Sequence, residues 1–370
     1  MMTTKSLSSW MLATVGIALL FLAQACKTES SKEAANPKTA ENQPATSSPS
    51  GTDNTSEDQE DSAKANLIAK KWTGDLDGMI QRRLIRVLTI HSKTGYFVDR
   101  GTQRGLTYEA FQMFEEDLNK KLKNKHVRVS VVIVPVANND LIPALLEGRG
   151  DIVAAGKLIT EWRREKVDFT NPTSSHVSSI AVTGPGTPPL KSVEDLGGKE
   201  VYLRLADVSQ QGIDKFNAML AKAGKPPVKI RPAPEVLDDE DVLEMVNAGI
   251  VQATVAHDFL AEFWQQVLPD LVLNKGAAVR TDGQVAMMIR KNSPQLMAEL
   301  NEFIARYPEG SKERNVLLQK YLKNTKYARQ ATSKSEAAKF QQIVQFLRKY
   351  SDQYKLDYLL MAAQGYQESG

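Results

Sequence analysis

LIPALLEGRGDIVAAGKLITEWRREKVDFTNP, residues 141–172, is the stretch whose reading decides the fold. It opens on a short helical pattern closed by Gly148 and passes through Asp151 into the apolar run of a buried strand. A turn follows, then the charge run 161–166, then a second apolar step at Val167 and Phe169.

The same alternation extends outward in both directions. Upstream, RLIRVLTIHS (83–92) reads as a strand and YEAFQMFEEDLNKKLKNK (108–125) as an amphipathic helix. Phe111, Phe114, Leu118 and Leu122 lie on one stripe of that helix. VRVSVVIVPV (127–136) is a strand, NDLIPALLEG (139–148) a short helix and GDIVAAGK (150–157) a strand. After the turn-rich TGPGTPPL (183–190) a second alternation begins. It runs strand 199–205, helix 210–224, strand 227–233, helix 239–249 and strand 251–257, before a strand over 283–293 and a helix over 294–307. Strands alternating with helices predict parallel sheets in an α/β architecture. Two such lobes joined by extended segments would hold a ligand cleft between them.

A chain of 370 residues has room for two or three domains. The apolar fraction of 42% and charged fraction of 25% fit a globular protein. A net charge of +3, with no basic run interleaved with aromatics, argues against nucleic acid as a partner. His91, His126, His176 and His257 show no ligand spacing, so no metal site and no cofactor are expected.

The single cysteine, Cys26, follows a charged start (Lys5) and the apolar run WMLATVGIALLFLAQA. That pattern reads as an export signal, too short and badly flanked for a membrane span. LAQAC resembles the bacterial lipobox, which implies cleavage before Cys26 and lipidation of its thiol; the plainer reading is a secretory signal with an incidental cysteine. Acyl chains in pairs anchor stably where one does not. Residues 27–66 contain no aromatic and no Leu, Ile, Val or Met, the composition of a disordered tether. Lys27 stands where, by the lipoprotein rule, an Asp would favour the inner membrane. The expected location is therefore the cell envelope, facing the periplasm, at the outer membrane rather than the inner.

The opening stretch, with DLGGKEVYL, VNAGIVQATVAHD and VAMMIRKNSPQLMAELNEFIARY further on, resembles the bacterial extracellular solute-binding proteins of the amino-acid-binding type. The resemblance covers roughly residues 84–307 and implies a two-lobed, type II periplasmic-binding-protein-like module. It places Arg163 at the family's grip on a ligand carboxylate, where a guanidinium fork matches the two oxygens. Asp258 matches the acid that holds the ligand ammonium, and Tyr96 the aromatic that stacks on the ligand. Each has a plainer reading: a solvated charge run for Arg163, a helix N-cap for Asp258 and edge packing for Tyr96. The family usually has a Gly-Thr/Ser turn after the second-lobe strand, whereas this chain reads LRLADVSQQG. Asp207 is awkward there beside a ligand carboxylate. The implied partner is a small anionic or zwitterionic ligand, such as an amino acid or muropeptide.

Beyond residue 310 the chain continues. Phe340, Ile343, Phe346, Leu347 and Tyr350 mark an amphipathic helix, and a further helix opens at Asp357 with Leu359, Leu360, Ala363 and Tyr366 on one face. YLLMAAQGYQES resembles the opening of the lysozyme-like domain in the membrane-bound lytic murein transglycosylase F family. That resemblance implies that Glu368 is the catalytic acid/base. It would protonate the glycosidic oxygen of the peptidoglycan glycan strand, then take the C6 hydroxyl proton as a 1,6-anhydro ring closes. Without it, Glu368 reads as a solvated helix-end carboxylate.

The expected organisation is a signal peptide (1–25), a lipidated Cys26 and tether (26–66), and a solute-binding-like module (67–310). Lobe 1 of that module takes 67–183 and 285–310, and lobe 2 takes 184–284. A helical connector (311–350) and the first helix of a truncated lysozyme-like domain (351–370) follow. Lacking the rest of that domain, the chain as it stands is expected to be inactive on murein. The competing expectation is a binding lipoprotein of an importer, which would have no use for the tail from Lys320 onward.

Overall fold

Strand β1 (Leu84–Thr89) is buried at every position, because helices cover both faces of the sheet it centres. The computed structural model describes residues 66, 68–123 and 128–331. Cys26, the tether, the helix predicted over 340–350 and Glu368 lie outside them. β1 pairs in parallel with β4 (Ser130–Pro135) and β5 (Ile152–Val153), while the hairpin β2 (Phe97–Asp99)–β3 (Thr102–Arg104) projects beyond β1. Period-two alternation divides the first lobe's core. Ile85, Val87 and Ile152 pack with α1 (Leu76–Gln81) and α2 (Leu106–Lys121), whereas Leu88 and Val153 pack with α3 (Leu141–Leu146).

The first sheet runs β4-β1-β5-β12-β6, and one strand, β12, departs from the parallel expectation. β12 (Met288–Ile289) is antiparallel to both β5 and β6 (Asp168–Phe169). It is the returning chain, so it arrives from the opposite direction. The second sheet runs β11-β7-β10-β8-β9 and is mixed as well. β10 (Ala253–His257), β8 (Glu200–Leu203) and β9 (Lys229–Pro232) are parallel, but β7 (Ser174–Thr183) is antiparallel to β10 and to β11 (Val272–Val285). The edge strands β4 and β9 both end in proline, which cannot donate to a further ladder.

β7 and β11 are the two crossings between lobes, and they run side by side. β11 spends 14 residues against the 10 of β7, and register shifts absorb the difference. The strand predicted over 283–293 is therefore two pieces. The chain leaves the second sheet at Val285 and joins the first at Met288, with Ala286 and Met287 in between.

Helices α5 (Gln210–Lys222), α6 (Asp239–Asn247) and α7 (Asp258–Gln265) belong to the second lobe. Ser209 caps α5 and Asp238 caps α6 through a reciprocal box with Asp241. α8 (Pro294–Arg306) returns to the first lobe, setting Leu296 and Leu300 into its core and Phe303 edge-on to Phe114.

Two more helices, α9 (Lys312–Leu322) and α10 (Lys326–Ala331), cross both lobes. Lys320 and the Tyr321 hydroxyl bind Glu109 of α2. The Tyr327 ring lies between Phe97, at 6.0 Å, and Phe263 of α7, at 6.2 Å, stacked on each. Arg329 donates to the Gln266 carbonyl at 2.6 Å.

Candidate ligand cleft

The lobes enclose a cavity of about 890 Å³. Lobe 1 contributes Thr89, Thr94 and the turn at Gly156; lobe 2 contributes Glu240, His257 and Asp258. α9 closes one side with Leu317, Leu318 and Leu322. This is the size of a small-molecule site, and its wall is mainly apolar with a few polar groups converging on it.

Asp258 begins α7, where its carboxylate accepts from the Phe259 and Ser178 backbone amides at 2.9 and 3.1 Å. It thus ties the helix to crossing strand β7 while facing the cavity. Beside it, burial holds the His257 imidazole below its ordinary pKa, so the ring is neutral at pH 7. Among the described residues, no bond reaches its Nδ1.

Glu240, from α6, is the deepest acid. Its Oε1 accepts from the Thr94 amide at 3.2 Å and from the Thr94 hydroxyl, both across the lobe boundary. Burial pushes its carboxyl up to about 7, against the pull of Thr94 and of the Lys93 ammonium. Lys93 itself crosses the boundary to Glu244 at 2.6 Å and Asp241 at 3.4 Å.

On the other flank of the cleft lies a second set of charges. Arg163 sits in α4 (Glu161–Arg164), 4% exposed, its guanidinium over the Trp162 ring. It donates to the Leu158 carbonyl at 3.0 Å and to Asp207 at 3.2 Å. Asp207 belongs to a 3-10 turn, Leu205–Asp207, directly after β8. The same carboxylate takes Lys157 at 2.7 Å and Arg204 at 2.8 Å. Burial alone would raise the Asp207 carboxyl, but Lys157, Arg204 and Arg163 outweigh it and hold it well below the usual carboxylate range.

The residues singled out by sequence therefore fall in three places. Asp258 lines the cavity. Arg163 stands in the adjacent charge cluster and faces a side chain of this same chain. Tyr96 is 5% exposed within the lobe 1 core, its hydroxyl on Gln103 at 3.0 Å and His91 at a ring distance of 5.6 Å. Sequence reasoning missed Glu240, Lys157 and Arg204. A signal for the last existed in the i, i+3 spacing of Arg204 and Asp207.

Two α/β lobes with paired crossings and a cleft between them define a solute-binding architecture. A model of the bacterial extracellular solute-binding proteins, family 3, matches residues 87–324, and the chain belongs to that family. Among curated relatives, the membrane-bound lytic murein transglycosylase F of Aeromonas hydrophila is 28% identical over 305 residues, which are 80% of this chain and 57% of the relative. The protein of that name from Pseudomonas fluorescens is 26% identical over 300 residues, 77% of this chain and 56% of the relative. The chain thus spans little more than half the length of these relatives. Solved structures share the type II binding-protein fold. A mutant of ArgBP from T. maritima has a TM-score of 0.52 at 22% identity, covering 67% of this chain and 99% of that one. The ancestral amino acid-binding protein AncCDT-1 has a TM-score of 0.54 at 24% identity, with the same coverage.

Proposed function

We propose that this chain carries the solute-sensing module of a cell-envelope protein of the transglycosylase F kind. Its ligand is a small amine-bearing solute, an amino acid or muropeptide, held in the interlobe cavity. The interlobe cavity of about 890 Å³, with Asp258 on its wall, carries this reading. An ammonium group would meet Asp258, whose backbone bonds already orient it, and the apolar wall would take the body of the solute. A helix pair that crosses both lobes favours this reading over an importer's receptor, because it ties the state of the cleft to the chain that follows. In the same reading Cys26 carries the lipid anchor, residues 27–66 form the tether, and Glu368 serves as acid/base of a murein-cleaving domain.

Calorimetry with a panel of amino acids and muropeptides tests the cleft. Asp258→Asn removes the charge and keeps one of the two backbone contacts, since its amide nitrogen cannot accept. Affinity for the ligand found should fall by about thirtyfold, roughly 2 kcal/mol. Equal affinity in the variant would remove Asp258 from the site, and a panel without any binder would sink the cavity reading. For the second part, a chain with a complete lysozyme-like domain should release 1,6-anhydromuropeptides from purified murein. Glu368→Gln should abolish that release, since an amide neither donates nor accepts the transferred proton. Persistent release would place the acid elsewhere.

A further inference from the structure

Asp207 is outnumbered by the cations around it. Lys157 and Arg163 reach it from lobe 1 and Arg204 from lobe 2, with side chains 7%, 5% and 2% exposed. Arg280 adds a further positive charge near Arg163, and Asn138 of lobe 1 donates an amide to the same carboxylate at 3.3 Å. Among the described residues, the only other acid bound to the set is Asp239, on Arg204. Glu235 is taken up by Asn138 and the Ala206 amide. Buried cations in such number need an anion. Asp207, whose side chain is 25% exposed, is more open to solvent than the three cations that bind it.

We propose that Lys157, Arg163 and Arg204 form an anion seat between the lobes and that Asp207 is its tethered occupant, latching the turn 205–207 of lobe 2 onto lobe 1. The seat takes a small carboxylate. Its geometry supports this: one Oδ1 receives both lobe 1 cations, while Oδ2 receives Arg204 and Asn138, so all the close donors converge on a single carboxylate. Gly156, on the cavity wall, directly precedes Lys157, and Asp239, also on that wall, holds Arg204. The seat therefore adjoins the proposed solute cavity. Resting on that reading of the cavity, a solute with a free carboxylate gains the seat only by displacing Asp207, and its arrival would release the latch.

Chemical rescue tests the seat without any knowledge of the solute. In the full chain, Asp207→Ala should lower Tm by roughly 10 °C, because the buried cations lose their partner. Sodium acetate at about 100 mM should restore at least half of that loss relative to sodium chloride at equal ionic strength, through binding to the folded state alone. Wild-type protein should respond identically to the two salts. Asp207→Asn, whose amide fills the seat without its charge, should lose less and should gain nothing from acetate over chloride. If Asp207→Ala gains nothing from acetate over chloride, whether folded or unfolded at the start, the seat does not exist. An acetate response in wild-type protein equal to that of Asp207→Ala would mean that Asp207 is not its occupant. Failure of the calorimetric panel would leave this result standing, so the two readings fail separately.

Discussion

Asp151→Ala is expected to be the most damaging single substitution in the described residues, costing about 3–5 kcal/mol or more and leaving little folded protein at 37 °C. Asp151 is fully buried at the start of β5 and is the shared partner of three guanidinium groups. Arg86 reaches it at 3.1 Å, Arg290 at 3.3 Å and Arg82 closer still. The Arg86 amide also donates to it at 2.9 Å. Arg86 spends its remaining donors on the carbonyls of Ile68, Lys70, Trp72 and Gly148, tying the segment before α1 to the sheet. Without the carboxylate, three cations stand in a low-dielectric interior with carbonyls alone to balance them. Removing one partner of a buried pair costs far more than the pair contributes net, because the stranded charge cannot return to water. Urea unfolding followed by circular dichroism measures the loss. Lys71→Ala, which breaks the exposed pair with Glu147, should leave the melting curve in place as the control. A variant at position 151 that unfolds at the wild-type midpoint would show that water enters the cluster.

Glu240 should make stability fall as pH rises from about 4.5 to 7, against the opposite slope of His257, whose lowered pKa leaves the unfolded chain binding more protons near its ordinary value. In the unfolded chain the Glu240 carboxyl loses its proton near the ordinary value of 4.5; in the folded chain burial delays that loss to about 7. Between those limits the folded state binds more protons than the unfolded one, so the unfolding free energy decreases with pH. The whole step is on the order of 3 kcal/mol. Asp238, pushed up by burial and by its neighbours Asp241 and Glu240, adds a contribution of the same sign. Because Glu240 meets Thr94 across the lobe boundary, its ionisation should loosen the closed cleft as well as the fold. Glu240→Gln retains the acceptor for Thr94 and removes the charge. Guanidinium melts from pH 5 to 8 should show most of the slope vanish in that variant. A slope that survives unchanged would assign the titration to other groups.

The sheet frame was legible because buried strands and capped helices announce themselves locally. RLIRVLTIHS (83–92) read as a strand, and Phe111, Phe114, Leu118 and Leu122 read as one stripe of an amphipathic helix. The crossings were not legible. β7 opens on Ser174, Ser175 and His176, and β11 carries Lys275, Arg280 and Asp282, residues that suit a solvated, bulged ribbon and break the period-two signal. The site was half legible. Asp207 could be recognised as out of place for a carboxylate-binding turn, but of its cationic partners only Arg204 is local, while Lys157 and Arg163 lie 50 and 44 residues upstream. Only folding brings Lys157, Arg163 and Arg204 together. Glu240 was invisible for a related reason: an acid in an acidic helix start normally serves the helix dipole, and nothing local shows that this one is buried by the opposing lobe.

α9 gives the cleft a wall made by chain that follows the last helix of the first lobe. Leu317, Leu318 and Leu322 are therefore part of the container, and a module excised after α8 would be a bowl with one side missing. Its measured ligand affinity would describe a different vessel. Graft experiments that exchange binding modules between related proteins should accordingly carry the segment 311–331 with them, since the capacity of the cleft is shared between the lobes and the strap laid across them.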